Sequence, residues 1–206
     1  MTTQAPSSTN EARKLEILRA ATDILRERGF GDARIADVAK RASVSTGLVI
    51  YYFGSREQLL IDALRYWENG FYETAQQLLE GEDSAARRLR VLVAMACGCE
   101  DTPRMSWGLW FELWAQAQRH PEAAEARSGH DEKWRNLITE IVRHGQRTGE
   151  FSVDVDARRF ALMLATLLDG MMVQVGLDDR ELNSDLAFDL SMEFVSQQLG
   201  MPAQHG

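Results

Sequence analysis

A chain of 206 residues with a net charge of −8 and 45% apolar residues is long enough for one or two domains with a sizeable core. It holds no unbroken run of 18 apolar residues that would cross a membrane, and its opening MTTQAPSSTNEARK lacks the apolar segment of a secretory signal, so a cytoplasmic protein is expected. Overall acidity argues against nucleic acid, but the charge is uneven: residues 1–56 hold nine Lys or Arg against six Asp or Glu, a balance of +3, while the remainder holds 14 against 25, or −11. An acidic body with a mildly basic module binds DNA through that module and discourages non-specific wrapping elsewhere.

Residues 1–10 read as a disordered tail. The first helix is expected over 10–28, with Ile17, Leu18, Ala21, Ile24 and Leu25 at helical spacing and Gly29 at the C-terminal cap. Arg13 and Lys14 at its exposed start either reach phosphate or form a plain solvated cluster. The stretch that organises the chain follows at 34–57, RIADVAKRASVSTGLVIYYFGSRE. A short helix over 35–39, a polar turn over 42–45 and a second short helix over 46–52 have the dimensions of a helix-turn-helix. Ile35, Val38 and Ala39 share one face of the first helix, Val44 plugs the turn, and Val49 and Phe53 continue the apolar face.

Ser45 is placed as N-cap, which leaves Thr46, Gly47, Leu48, Ile50, Tyr51 and Tyr52 for a ligand. Such a surface suits a DNA major groove. Gly47 admits close backbone approach, Leu48 or Ile50 meets thymine methyls, and tyrosine hydroxyls bond phosphate oxygens. Arg34 and Arg56 supply basic edges. Taken alone, Tyr51 and Tyr52 fit the half-buried aromatics of a helical bundle equally well.

The run Gly29-Phe30, Ile35-Ala36-Asp37-Val38-Ala39, Val44-Ser45-Thr46-Gly47, Tyr52-Phe53 and Ser55-Arg56-Glu57 resembles the N-terminal domain of tetracycline-repressor (TetR) family regulators. Within that family, Asp32-Ala33, Ala39-Lys40-Arg41-Ala42 and Val44-Ser45-Thr46-Gly47 resemble the choline-responsive repressors of betaine synthesis. The resemblance implies an all-α protein: a helix-turn-helix DNA-binding domain over 11–55 and a ligand-binding and dimerisation domain over 56–206. Two departures stand out. Ser43 occupies a position where the family usually has glycine, which costs roughly 1 kcal/mol if the turn needs a left-handed residue. Arg34 replaces the usual Ser or Thr, exchanging a helix cap for a cation.

Beyond the head, Ser55-Arg56-Glu57-Gln58 reads as a capping box opening a connecting helix over 56–80, roughly 37 Å long, along which any signal from the body travels. A helix over 84–100 follows. Thr102-Pro103 then supplies a cap and a first-turn proline for a helix with Trp107, Trp110, Phe111 and Trp114 at i, i+3, i+4, i+7. His120-Pro121 restarts the chain for a helix to Gly145 or Gly149 that includes Trp134, Leu137, Ile138 and Ile141. Asp154 or Asp156 caps an apolar helix over 160–177, and a last helix spans 184–199.

The segment 157–177 is apolar nearly all round and needs cover on two sides. With Leu186, Leu190, Phe194 and Val195 of the final helix it is expected to build a four-helix homodimer interface, the arrangement that the resemblance also implies. Gly170 and Gly176 would permit close approach. A dimer presents two motif helices to half-sites about 34–36 Å apart or a multiple of that.

For the effector, Trp107, Trp110, Phe111, Trp114 and Trp134, with the carboxylates Glu112, Glu140 and Asp169, suit an organic cation such as a quaternary ammonium or a polyamine; the resemblance points the same way. The tryptophan stripe is explained more readily as plain core. Glu112 falls well away from the aromatic face, and Asp169 lies opposite Phe160, Leu164, Leu167 and Met171. A neutral hydrophobic effector and an activator role remain alternatives to a cation-released repressor. Enzyme chemistry finds no support: His120, His130, His144 and His205 are scattered, Cys97 and Cys99 read as buried thiols, and no phosphate-cradling loop or nucleophile elbow is present. No cofactor or metal is expected.

Overall fold

The computed structural model describes residues 6–99 and 107–201, with side chains from Asn10 onward. Nine helices make up the described residues: α1 (Pro6–Asp32), α2 (Ile35–Arg41), α3 (Thr46–Phe53), α4 (Arg56–Leu79), α5 (Ala85–Cys97), α6 (Trp107–Ala117), α7 (Pro121–Thr148), α8 (Ala157–Gly176) and α9 (Ser184–Leu199). No strand occurs among them, so the all-α class holds. Helix α1 starts at Pro6, four residues ahead of the expected start. The expected cap at Thr102-Pro103 lies outside the described residues.

Local chemistry explains most boundaries. The regular part of α1 ends at Gly29, whose φ of 72° is open to glycine and strained for other residues. Helix α2 starts from Arg34 in an extended conformation with no side-chain cap; Asp37 in its first turn and Lys40 and Arg41 in its last complement the helix dipole instead. The turn before α3 places Ser43 at φ 53°, the left-handed conformation that a glycine would adopt without strain. Ser55 Oγ accepts from Gln58 N at 3.0 Å, but Gln58 Nε2 donates to Asp62 at 2.9 Å. The capping box at the start of α4 is therefore one-sided.

Helix α5 stops at Cys97, short of the expected end, because Gly98 adopts a left-handed cap and donates its N–H back to the carbonyls of Ala94 and Met95. Asp156, not Asp154, caps α8 by accepting from Arg158 N and Arg159 N at 2.9 and 3.0 Å. Asn183 does the same for α9 through Leu186 N.

Compactness divides the chain into two units, each described separately. The first holds the described residues up to Tyr72 together with Gly108–Arg127; the second holds the described residues between Glu73 and Trp107 and those from Ser128 onward. The first unit contains α1–α3, most of α4, α6 and the beginning of α7. Ile17, Ala21, Ile24, Leu25, Val38, Val49, Phe53, Leu59, Leu60 and Leu64 are buried there.

In the second unit α8 packs against α5 and α9. It buries Ala157, Phe160, Ala161, Leu164, Ala165, Leu168 and Met172, so the inward stripe falls on Leu168 and Met172, and the expected Leu167 and Met171 are half-buried. By length and mean hydropathy, 1.3, α8 is apolar enough to cross a membrane although it has no unbroken apolar run. Its burial against α5 and α9 makes it a core helix of this unit. Phe160 stacks on Phe194 of α9, ring centroids 5.9 Å apart.

Candidate DNA-binding face and effector site

Helix α3 is oriented by what it buries. Val49 and Phe53 point into the first unit, Lys14 lies 5.7 Å over the Phe53 ring, and Ser45 Oγ accepts from Leu48 N at 3.2 Å. That anchoring turns Thr46, Gly47, Ile50 and Tyr51 to solvent, Tyr51 at 77% exposure, with Leu48 half-buried. A Cβ added at Gly47 would meet only Ser45 Oγ, at 3.9 Å, among the described residues, so nothing in them requires glycine there. The Tyr52 hydroxyl donates to Asn10 of α1, and its ring stands edge-on to Tyr51, centroids 5.4 Å apart. Tyr52 is thus held in place by the first helix. Arg34 is exposed immediately before α2.

Two ion pairs brace α2 against α1. Arg41 forks onto the Glu27 carboxylate at 2.7 and 2.8 Å, and Arg28 reaches Asp37 at 2.6 Å. The Arg41 hydrogen bond lowers the Glu27 pKa, and the Glu27 hydrogen bond raises that of Arg41.

Arg56 departs from expectation. Its Nε donates to the Ala33 carbonyl at 2.6 Å, and one Nη donates to the carbonyls of Phe30 and Gly31, the latter at 2.9 Å. The guanidinium lies 5.5 Å from the Phe30 ring centroid. These bonds serve the backbone carbonyls left over where α1 ends. Arg56 is therefore a clip inside the head, not the free phosphate donor that its place at the edge of the motif suggested.

The proposed effector residues divide between the units. In the first, Trp110 is buried edge-on against Trp67, at 4.9 Å, and against Phe71, at 6.0 Å, both on α4. Phe111 and Trp114 are half-buried with centroids 6.2 Å apart, and Arg127 lies 5.9 Å over the Trp114 ring. The second unit holds Trp107, which packs beneath Gly98, and Trp134, which is buried, while Asp169 is exposed on α8. Glu140 is also exposed.

Glu112 turns away from the aromatics, as its spacing implied, and Oε1 accepts from Phe30 N at 2.9 Å. The acidic residue that sequence reasoning missed is Glu68, 5% exposed. It adjoins Trp67 and lies one turn before Phe71. Its spacing of four from Leu64 and three from Phe71 was the readable sign that it shares their inward face.

Comparison with known proteins matches this arrangement. Residues 17–63 match the bacterial regulatory proteins of the tetR family, and residues 84–200 match the C-terminal domain of BetI-type transcriptional repressors. The chain is 25% identical over 195 residues to the HTH-type transcriptional regulator BetI 1 of Chromohalobacter salexigens, covering 94% of this chain and 93% of that one. It is 26% identical over 196 residues to the regulator BetI of Cronobacter sakazakii, covering 94% of each. Among solved structures, a transcriptional regulator from Saccharomonospora viridis in complex with choline superposes with a TM-score of 0.81 at 27% identity, covering 92% of this chain and 97% of that one. The chain belongs to the TetR family of bacterial regulatory proteins, carries a BetI-type repressor C-terminal domain, and is a DNA-binding regulator of transcription rather than an enzyme.

Proposed function

We propose that the protein is a cytoplasmic repressor that sits as a homodimer on a pseudo-palindromic operator and leaves it when an organic cation binds the body. The observation that carries the DNA half is the exposed row Thr46, Gly47, Ile50 and Tyr51 on a helix anchored from behind by Val49 and Phe53. Thr46, Leu48 and Tyr51 read base edges; Arg34 contacts phosphate, as does the Tyr52 hydroxyl on exchanging Asn10 for a phosphate oxygen, and Ser45 and Gly47 let the helix start approach the backbone. Dimerisation through 157–177 and 184–199 is supported by the outward row Leu162, Met163, Leu186 and Leu190, which is exposed in the single chain.

The cation reading rests on the cluster of Trp67, Phe71 and Trp110, of the kind that attracts a quaternary ammonium, on the buried carboxylate of Glu68, which follows Trp67 on α4, and on the likeness to a regulator solved with choline. Glu68 takes the role first given to Glu112 and Asp169. A second reading, a neutral apolar effector, is favoured by the engagement of Glu112 with the head and by the exposure of Asp169.

Selection of duplexes from a random pool by the full chain identifies the operator. Thermal-shift screening of choline, spermidine and neutral apolar compounds, followed by operator release, then separates the two effector classes. Release by choline that is lost in Glu68→Gln supports the cation; release by apolar compounds alone, unchanged in Glu68→Gln, overturns it.

A further inference from the structure

Helix α6 grips its unit in two chemically different ways. On one side Trp110 wedges edge-on between Trp67 and Phe71 of α4, the region to which the effector reading assigns the ligand. On another, the Glu112 carboxylate reaches 82 residues back along the chain to accept the Phe30 amide at 2.9 Å.

The receiving site is built for that approach. Gly29 stands at φ 72°, and a Cβ on it would lie 2.9 Å from Glu112 Oε1, so any side chain there would both strain the turn and push the carboxylate off. The opposite pole of the same turn is held by Arg56, at the first residue of α4, through the carbonyls of Phe30, Gly31 and Ala33. The Phe30 ring adds a third contact, 6.3 Å from that of His120 just before α7. One short turn between α1 and α2 is thus gripped by an anion on its amide and a cation on its carbonyls. From it α2 departs within three residues.

We propose that Glu112 is the positioning residue through which displacement of α6 is felt by the DNA-binding helices: its hydrogen bond to Phe30 N holds the α1–α2 turn in the operator-competent position. The proposal rests on the effector-responsive reading above for its biological use, but the mechanical claim concerns only α6 and the turn. A carboxylate is suited to the task because a charge-assisted bond to a backbone amide is stronger than a neutral one and fixes a defined geometry. A shift of α6 by about an ångström takes this contact from 2.9 Å to beyond hydrogen-bonding distance. Thermodynamic reciprocity then requires that DNA binding alter α6 as much as α6 alters DNA binding.

The test uses the full-length chain, the duplex selected from a random pool, and the variants Glu112→Ala and Glu112→Gln. Hydrogen exchange is followed in peptides covering the α1–α2 turn and α6, with and without duplex; affinity is measured across a salt series. In the native chain, duplex should slow exchange in α6 as well as in α3. In Glu112→Ala, the Phe30 amide should exchange about tenfold faster and affinity should fall about tenfold, the loss expected for one charge-assisted bond. The salt slope should stay unchanged because no phosphate contact is removed, and the α6 response to duplex should vanish. Glu112→Gln keeps a carbonyl acceptor and should restore most of the affinity.

An α6 that ignores duplex in the native chain overturns the proposal, and that result needs no variant to fold. It is equally overturned by an α6 response that persists in Glu112→Ala, or by affinity that falls only in step with melting temperature while Glu112→Gln offers no rescue. No readout contains an effector, so a failure of choline to release the operator would count against the cation reading alone.

Discussion

The Ser84 hydroxyl donates to the Glu150 carboxylate at 2.7 Å, across 66 residues of chain, and the amides of Ala85 and Ala86 donate to the same group at 3.0 and 3.2 Å. Glu150 is in effect a second cap on α5, supplied by the turn after α7. Burial would raise its pKa, but the bonds from Ser84, Ala85, Ala86 and Thr148 outweigh that and bring it to about 2, from an ordinary 4.5. The folded value is depressed, so the stabilisation is complete above about pH 4.5 and is lost as pH falls from there toward 2. Glu150→Gln should cost about 1–2 kcal/mol at pH 7, with the gap to the native chain closing as pH falls through that window. Urea melts at pH 7, 4 and 3 check it; a constant gap would show that charge on Glu150 is immaterial.

Ser43 gives the opposite sign. Its φ of 53° costs a non-glycine residue about 1 kcal/mol or more, partly offset because glycine also loosens the unfolded chain. Ser43→Gly should therefore stabilise the protein by about 0.5–1 kcal/mol, visible as a rise in melting temperature with operator affinity unchanged.

On α3, Gly47→Ala separates fold from function. Helix propensity favours alanine by about 1 kcal/mol, and the nearest atom to its Cβ is Ser45 Oγ at 3.9 Å. Melting temperature should hold or rise while operator affinity falls at least severalfold, because a methyl group would intrude where the proposed reading brings the backbone to DNA. Undiminished affinity would remove Gly47 from the contact surface.

Arg56 and Arg34 should behave differently although both flank the motif. Arg56→Ala strips three backbone carbonyls of their donor and should lower stability by about 2 kcal/mol without changing the salt slope of DNA binding. Arg34→Ala should leave stability nearly unaltered and reduce the slope by about one. Anisotropy titrations across a salt series, with parallel melts, distinguish the two.

In the second unit, Leu190→Glu and Phe194→Glu test the dimer and the core in turn. Leu190 is exposed in the single chain, so a charge there should yield folded monomers in sedimentation. Phe194 stacks on buried Phe160, and its replacement should unfold the unit. A folded, dimeric Leu190→Glu would move the interface elsewhere.

The parts of this architecture legible in the sequence are those fixed within a turn or two of chain. Ser45 capping Leu48, Gly29 closing α1, Val49 and Phe53 facing inward and the stripe at Trp110 all follow from spacing and backbone preference. Long-range partners are not readable that way. Periodicity put Glu112 off the aromatic face but could not reveal that Phe30 N, 82 residues earlier, waits on the other side. It marked Arg56 as a cation near DNA, yet the carbonyls that capture it belong to a helix end 23 to 26 residues away. The inward stripe of α8 drifted for a related reason: in so apolar a helix the pattern has no polar edge to fix its phase, and packing against α5 and α9 chose Leu168 over Leu167.

The edge-on contact of Trp67 and Trp110 has a spectroscopic consequence. Two indoles 4.9 Å apart and inclined at 70° share their electronic excitations, so the pair forms a chiral exciton couple whose ultraviolet dichroism depends on that distance and angle. Since one ring rides on α4 and the other on α6, the protein carries an unlabelled optical gauge of the separation between those helices. Phe substituted at Trp67 would silence it while leaving an aromatic ring in place.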